Sequence, residues 1–230
     1  MTYQELPEDG SMPDPVMTHD ALSRLWHWST AICMFALVLS GYFIGTAPPS
    51  VGGDTSELYT MGDIRFIHLA FGQVFSMLFL FRLYWAIRKK GYERQMFWPS
   101  FWVKRWTDGF VTQIKWNLMM LPRSPRYLGL NPLGIVATFI LFVIPSVLTI
   151  LTGYAMLAEV SGHDSWEHHL FGWMMVIFPN TLDLHLVHRL CMWALVFFTI
   201  LHIYVTVRDD VLSRQTVTSS MLSGERVFRR

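Results

Sequence analysis

Charge is what this sequence lacks most. Only 15% of its 230 residues are Asp, Glu, Lys or Arg, whereas a soluble domain carries about a quarter. Cysteine is nearly absent too, with only Cys33 and Cys191. Both lie inside apolar runs, and neither belongs to a C-x-x-C or C-x-x-C-H motif. That argues against a disulfide framework, excludes covalently attached c-type haem, and leaves both as small apolar packing residues. Residues 1–23 hold no Lys or Arg but five acids, Glu5, Glu8, Asp9, Asp14 and Asp20. This is the reverse of the charged start of a signal peptide, so the stretch reads as a polar, poorly ordered cytoplasmic tail. Internal repeats and low-complexity tracts are missing. A net charge of +1 offers no field for nucleic acid.

What the chain has instead is apolar length. Its hydrophobic fraction is 52%, with ten Trp and a mean hydropathy of +0.33. A helix crossing ~30 Å of hydrocarbon needs about 20 apolar residues. Four segments qualify, over about 24–46, 64–87, 132–157 and 182–207. Pro145 interrupts the third and predicts a kink, which neighbouring helices tolerate. The expected fold is an all-α membrane protein, a four-helix transmembrane bundle over residues 24–207 with a basic cytoplasmic tail over 208–230.

Lys and Arg set the expected orientation. Residues 88–131 carry nine of them: Arg88, Lys89, Lys90, Arg94, Lys104, Arg105, Lys115, Arg123 and Arg126. The tail from Arg208 carries five more, while residues 47–62 and 158–181 carry none. The positive-inside rule puts both termini and the long loop in the cytoplasm, and the two acidic loops outside. Between Met96 and Leu121 aromatics alternate with Lys and Arg, which predicts a helix lying in the headgroup plane. Leu170 to Phe178 is too short to span and predicts a surface-lying turn or helix.

Histidines carry the chemistry. His27, His68, His185, His188 and His202 lie in or at the ends of the spans, and an ionisable residue inside a membrane is a functional candidate by default. By their depth along the spans, His68 and His188 are outer, and His27 and His202 are inner. His188 and His202 are fourteen residues apart, about 21 Å of helix rise on nearly one side. The pairs are therefore His68 with His188 and His27 with His202. A low-spin haem needs one imidazole on each side of its iron, from facing helices. Two filled axial positions leave no place for a substrate, so the chemistry is electron transfer through two non-covalent haems b. His185, one turn before His188, is the alternative outer ligand or a propionate contact. His163, His168 and His169 read as solvated loop residues or an interface, and His19 carries no assignment.

Arg24 and Arg65 stand three residues before His27 and His68, and Arg189 adjoins His188. Arg82 is fourteen residues from His68 and so on about the same face. These four are candidate partners for haem propionates or, equally, interfacial arginines with snorkelling side chains. Gly41, Gly72 and Gly153 either admit a porphyrin close to the backbone or serve ordinary helix packing.

Several stretches carry a family likeness: R-L-W-H-W-S at 24–29, S-G-Y-F-I-G at 40–45, M-G-D-I-R-F-I-H at 61–68 and N-P-L at 131–133. Further along come L-T-G-Y-A at 151–155, D-L-H-L-V-H-R-L-C-M-W at 183–193, H-I-Y-V-T-V-R-D-D at 202–210 and S-S-M-L-S-G at 219–224. With these the sequence resembles the b-type cytochrome subunit of membrane-bound nickel–iron hydrogenases, in the wider bacterial cytochrome b561 and formate dehydrogenase gamma group. The resemblance implies a multi-pass respiratory-chain subunit of the bacterial inner membrane. It implies a hydrogenase small subunit as partner and, through it, the large subunit. Electrons from the small subunit's iron–sulfur clusters would pass through the outer haem, then the inner haem, to a membrane quinone. The implied ligands are His27, His68, His188 and His202, with no substrate site beyond one for quinone.

Other readings make distinct predictions. The same anchor could serve a formate dehydrogenase or thiosulfate reductase, which copurification distinguishes. A transporter using histidines as a proton or metal relay, or a haem-free anchor, predicts no haem spectrum.

Overall fold

The computed structural model describes residues 16–47, 59–88, 92–122, 125, 127, 131–213 and 216–226. Residues 1–15 and the basic residues Lys89, Lys90, Arg123, Arg126, Arg214, Arg229 and Arg230 lie outside the described residues.

Four helical stretches are long and apolar enough to cross a membrane. The first is α1, Ala21–Gly45. Asp20 caps it, its carboxylate accepting from the Ser23 amide at 2.8 Å. The second is α2, Thr60–Arg88. The third begins as α4, Pro132–Thr138, with Pro at the first helical position and Asn131 Oδ1 accepting from the Gly134 amide at 2.6 Å. It passes through one π-helical turn, Phe139–Val143, into α5, Ile144–Ser161. Pro145, where the sequence predicts a kink, follows this turn closely. Proline has no N–H and its ring collides with the carbonyl four residues back, and a widened turn upstream absorbs both. The fourth is α8, Thr181–Ser213.

Shorter elements close the two ends. At the acidic end, α6 (Trp166–Phe171) and α7 (Trp173–Ile177) fill the expected surface segment. At the basic end, a 3-10 turn (Tyr92–Met96) leads to α3, Lys104–Asn117. The aromatic stretch from Met96 to Leu121 is thus helical only over α3. That helix buries Trp106, Gly109 and Gln113 on one stripe and exposes Lys104, Asp108 and Lys115.

The first and last described segments are tied together. Val16–Met17 (β1) pairs antiparallel with Glu225–Arg226 (β2), just after α9, Val217–Ser223. The amides of Thr18 and His19 both donate to the Gly224 carbonyl, at 2.9 and 3.1 Å. Residues 16–20, expected as poorly ordered tail, form this clasp instead. Two-residue strands this far apart leave no periodicity in the sequence.

Helix α1 packs along α2, and α5 along α8. An apolar core of Phe79, Ala86, Met96, Phe97, Phe142, Val143 and Leu195 joins the two helix pairs. Outward, the long helices present large apolar residues such as Phe35, Phe66, Leu80, Leu182 and Ile200. An all-α bundle with a greasy exterior and a sparse interior is a membrane architecture.

Candidate functional site

At the acidic end of the bundle, His68 on α2 faces His188 on α8, ring centres 6.3 Å apart. Each ring's Nδ1 lies against a hydroxyl on the adjoining helix. Ser40 Oγ is 2.9 Å from His68 Nδ1, and Thr152 Oγ1 is 2.8 Å from His188 Nδ1. Glycine makes these approaches available. A Cβ at Gly41 would stand 3.1 Å from His68 Cε1, and one at Gly153 would stand 3.3 Å from His188 Cε1. Gly72 is different: a Cβ there meets only Leu37, at 4.0 Å.

A cavity of about 660 Å³ opens between the two helix pairs here. Its walls are mostly apolar, including Met34, Leu37, Phe75, Ile150 and Met192, while Arg65, Arg189 and His185 stand among its few polar members. This is the size and character of a pocket for a bulky, mostly apolar ligand with polar edges. Arg189 lays its guanidinium over Gly45, where a Cβ would meet it at 3.4 Å. His185 is exposed and turns Nδ1 to the Thr181 carbonyl of its own helix, at 2.9 Å. His188, rather than His185, therefore stands opposite His68.

At the basic end, His27 on α1 faces His202 on α8, ring centres 6.2 Å apart. Phe198, one turn before His202, stacks on it at 5.5 Å. His27 Nδ1 is buried and has no hydrogen-bond partner among the described residues. Basic side chains gather nearby. Arg82 places its guanidinium 5.0 Å over the Trp26 ring, and Arg24 donates to the Leu222 carbonyl at 2.5 Å. His19 lies outside the span, half-buried. Burial holds its pKa below the ordinary 6.5; Arg226, Arg82 and Arg24 push the same way, and Asp20 opposes them.

Four of the sequence's candidate residues thus form two ring pairs, one toward each end of α8. His163 and His168 meet each other in the acidic loop, Nδ1 to Nε2 at 3.0 Å. Ser40 and Thr152 were not anticipated, because a hydroxyl that contacts a histidine on another helix has no periodic signature.

The arrangement fits a haem. An imidazole nitrogen lies about 2 Å from a bound metal and about 1 Å from its own ring centre, so two rings flanking one metal stand about 6 Å apart. Both pairs have that spacing. Among the described residues no cluster of three or more His, Cys, Asp or Glu could hold a metal unaided. A metal between two such rings needs its remaining ligands from a non-protein group, as a porphyrin supplies.

Sequence comparison agrees with the geometry. The model of the prokaryotic cytochrome b561 family matches residues 18–224. The "Probable Ni/Fe-hydrogenase B-type cytochrome subunit" of Rhizobium leguminosarum bv. viciae is 42% identical over 214 residues, covering 93% of this chain and 90% of that protein. The protein of the same description in Bradyrhizobium diazoefficiens is 43% identical, covering 93% and 87%. The "Probable Ni/Fe-hydrogenase 1 B-type cytochrome subunit" of Escherichia coli K12 is 38% identical over 220 residues, covering 93% and 92%. The chain belongs to the prokaryotic cytochrome b561 family.

Proposed function

We propose that this family member is the membrane-anchoring dihaem cytochrome b subunit of an uptake nickel–iron hydrogenase. It carries electrons from the small subunit's iron–sulfur clusters to the quinone pool. The observation that carries the reading is the pair of facing histidines at each end of the bundle, 6.3 and 6.2 Å apart. The names of its relatives favour hydrogenase over formate dehydrogenase or thiosulfate reductase as the partner.

Bound between each pair, haem b supplies a one-electron ferric–ferrous couple. His68 and His188 hold the outer group, and His27 and His202 the inner. With a histidine from each side holding the group, these four residues would leave oxygen and small substrates no site on it. Arg65 and Arg189 would pair with the propionates of the outer group, and Arg24 and Arg82 with those of the inner. Between the pairs, Phe142 and Leu195 belong to the buried apolar core, with Phe198 packed against it.

The asymmetry of charge orients the chain. The basic loop and both termini lie in the cytoplasm, and α6 and α7 face outward. The hydrogenase small subunit docks on that outer face, beside His68 and His188. Quinone is reduced at the inner end, beside His27 and His202.

Replacing His68 or His188 with Ala tests the route. The outer haem is lost and hydrogen-dependent quinone reduction falls to background. The attached hydrogenase subunits still reduce an artificial dye. Quinone reduction that survives either substitution contradicts the route.

A further inference from the structure

One four-residue pattern, Leu, then Ser or Thr, then Gly-Tyr, is found on two helices of the bundle, too short to count as a repeat. Leu39-Ser40-Gly41-Tyr42 lies on α1, and Leu151-Thr152-Gly153-Tyr154 lies on α5. Each copy meets one ring of the acidic-end pair, and each meets it in the same way. The hydroxyl reaches the ring's Nδ1, at 2.9 Å for Ser40 and 2.8 Å for Thr152. The glycine that follows lies under Cε1 of the same ring, where a Cβ would stand only 3.1 or 3.3 Å away. Both hydroxyl residues are shut off from solvent, Ser40 at 6% exposure and Thr152 at 0%.

Each hydroxyl also reaches a carbonyl of its own helix. Ser40 donates its hydrogen to the Ala36 carbonyl at 2.7 Å, and Thr152 donates to the Leu148 carbonyl at 2.7 Å. A hydroxyl has one hydrogen to give. With that hydrogen given to the helix, each oxygen has lone pairs to offer a ring N–H, beside the Leu37 and Thr149 carbonyls that also bond the rings of His68 and His188; this is the arrangement of an Nδ1–H tautomer, with the lone pair on Nε2. The basic-end pair is built differently. His27 Nδ1 is buried without a hydrogen-bond partner among the described residues, and His202 is braced by the stacked Phe198.

We propose that Ser40 and Thr152, each with its following glycine, are positioning residues for the outer haem. They fix both imidazoles as Nδ1–H tautomers with Nε2 toward iron, and they set the outer haem's reduction potential below that of the inner. This rests on the dihaem reading above. A histidine that donates its second N–H becomes a more basic ligand. A more basic ligand favours the ferric state, and hydrogen bonding around the axial ligands is one of the protein's levers on potential. Two such bonds at the electron-entry site make the inward step downhill.

The test is a potentiometric titration of the b-type α-band on the full chain in its detergent-purified complex. Two components are expected, and the one that His188→Ala removes is the outer. In Thr152→Val, which replaces the hydroxyl with a methyl of similar size, and in Ser40→Ala, the outer midpoint shifts upward and the inner stays in place. Thr152→Ser and Ser40→Thr restore the wild-type value. Retained haems with unchanged midpoints, or a shift confined to the inner component, overturn the proposal. If Thr152→Val loses the outer haem, Thr152→Ser decides. A retained haem at the wild-type midpoint supports the hydroxyl, whereas loss there too shows a packing role and overturns it. Absence of any b-type band in the unsubstituted protein refutes the dihaem reading itself, an outcome distinct from all of these.

Discussion

His185 and His188 lie one turn apart on α8, and their side chains do different things. His188 is drawn inward by Thr152 and by the space over Gly153. His185 bonds a carbonyl of its own helix and stays exposed. His185→Gln should therefore leave two haems with unchanged axial ligation, whereas His188→Ala removes one. A haem count by optical spectrum, together with the low-spin electron paramagnetic resonance signals, checks this. Loss of a haem in His185→Gln would return His185 to the ligand set. Depth along each span is legible in the sequence, because residue number converts directly to height on a helix. That is how His27, His68, His188 and His202 could be sorted into pairs. Rotation between helices is not legible, so the sequence leaves His185 and His188 as alternatives, and it is α5, packed along α8, that sets Thr152 and Gly153 against His188.

Among the elements, the long helices were the readable part, since an apolar run of this length has few alternatives in water or lipid. The π turn at Phe139–Val143 was visible only as a proline, and the clasp of β1 and β2 was invisible. The clasp brings a titratable group into play. His19 is half-buried with Arg226, Arg82 and Arg24 around it, and its pKa in the folded protein lies below 6.5. A depressed folded value means the unclasped chain binds more protons as pH falls. The contribution is complete above about 6.5, the unfolded value, and is lost as pH falls from there toward the folded value. Protease cleavage within residues 216–226 should therefore speed up as pH falls from 7 toward 5, and His19→Asn should flatten that dependence. An equal pH dependence in the variant would remove His19 from the account.

The whole molecule is polarised. Among the described residues, the basic helix α3 and the β1–β2 clasp lie at one end of the bundle, and Glu159, Asp164 and Glu167 at the other, the asymmetry on which the proposed direction in the membrane rests. A cysteine at Asp164 should react with an impermeant thiol reagent added to intact cells, and one at Lys104 should react only after permeabilisation. The reverse pattern would invert the electron path. The proposed direction comes from Lys and Arg counts alone, while the lining of the cavity needed all four spans in place. In the function proposed above, four histidines from three helices hold two haems. The direct measurement is a pyridine haemochrome assay on the purified chain, alongside its reduced-minus-oxidised spectrum. Two b-type haems per chain, falling to one in His68→Ala and to one in His27→Ala, is the result this account predicts. A chain that holds no haem, or that keeps both haems without His27 and His68, contradicts it.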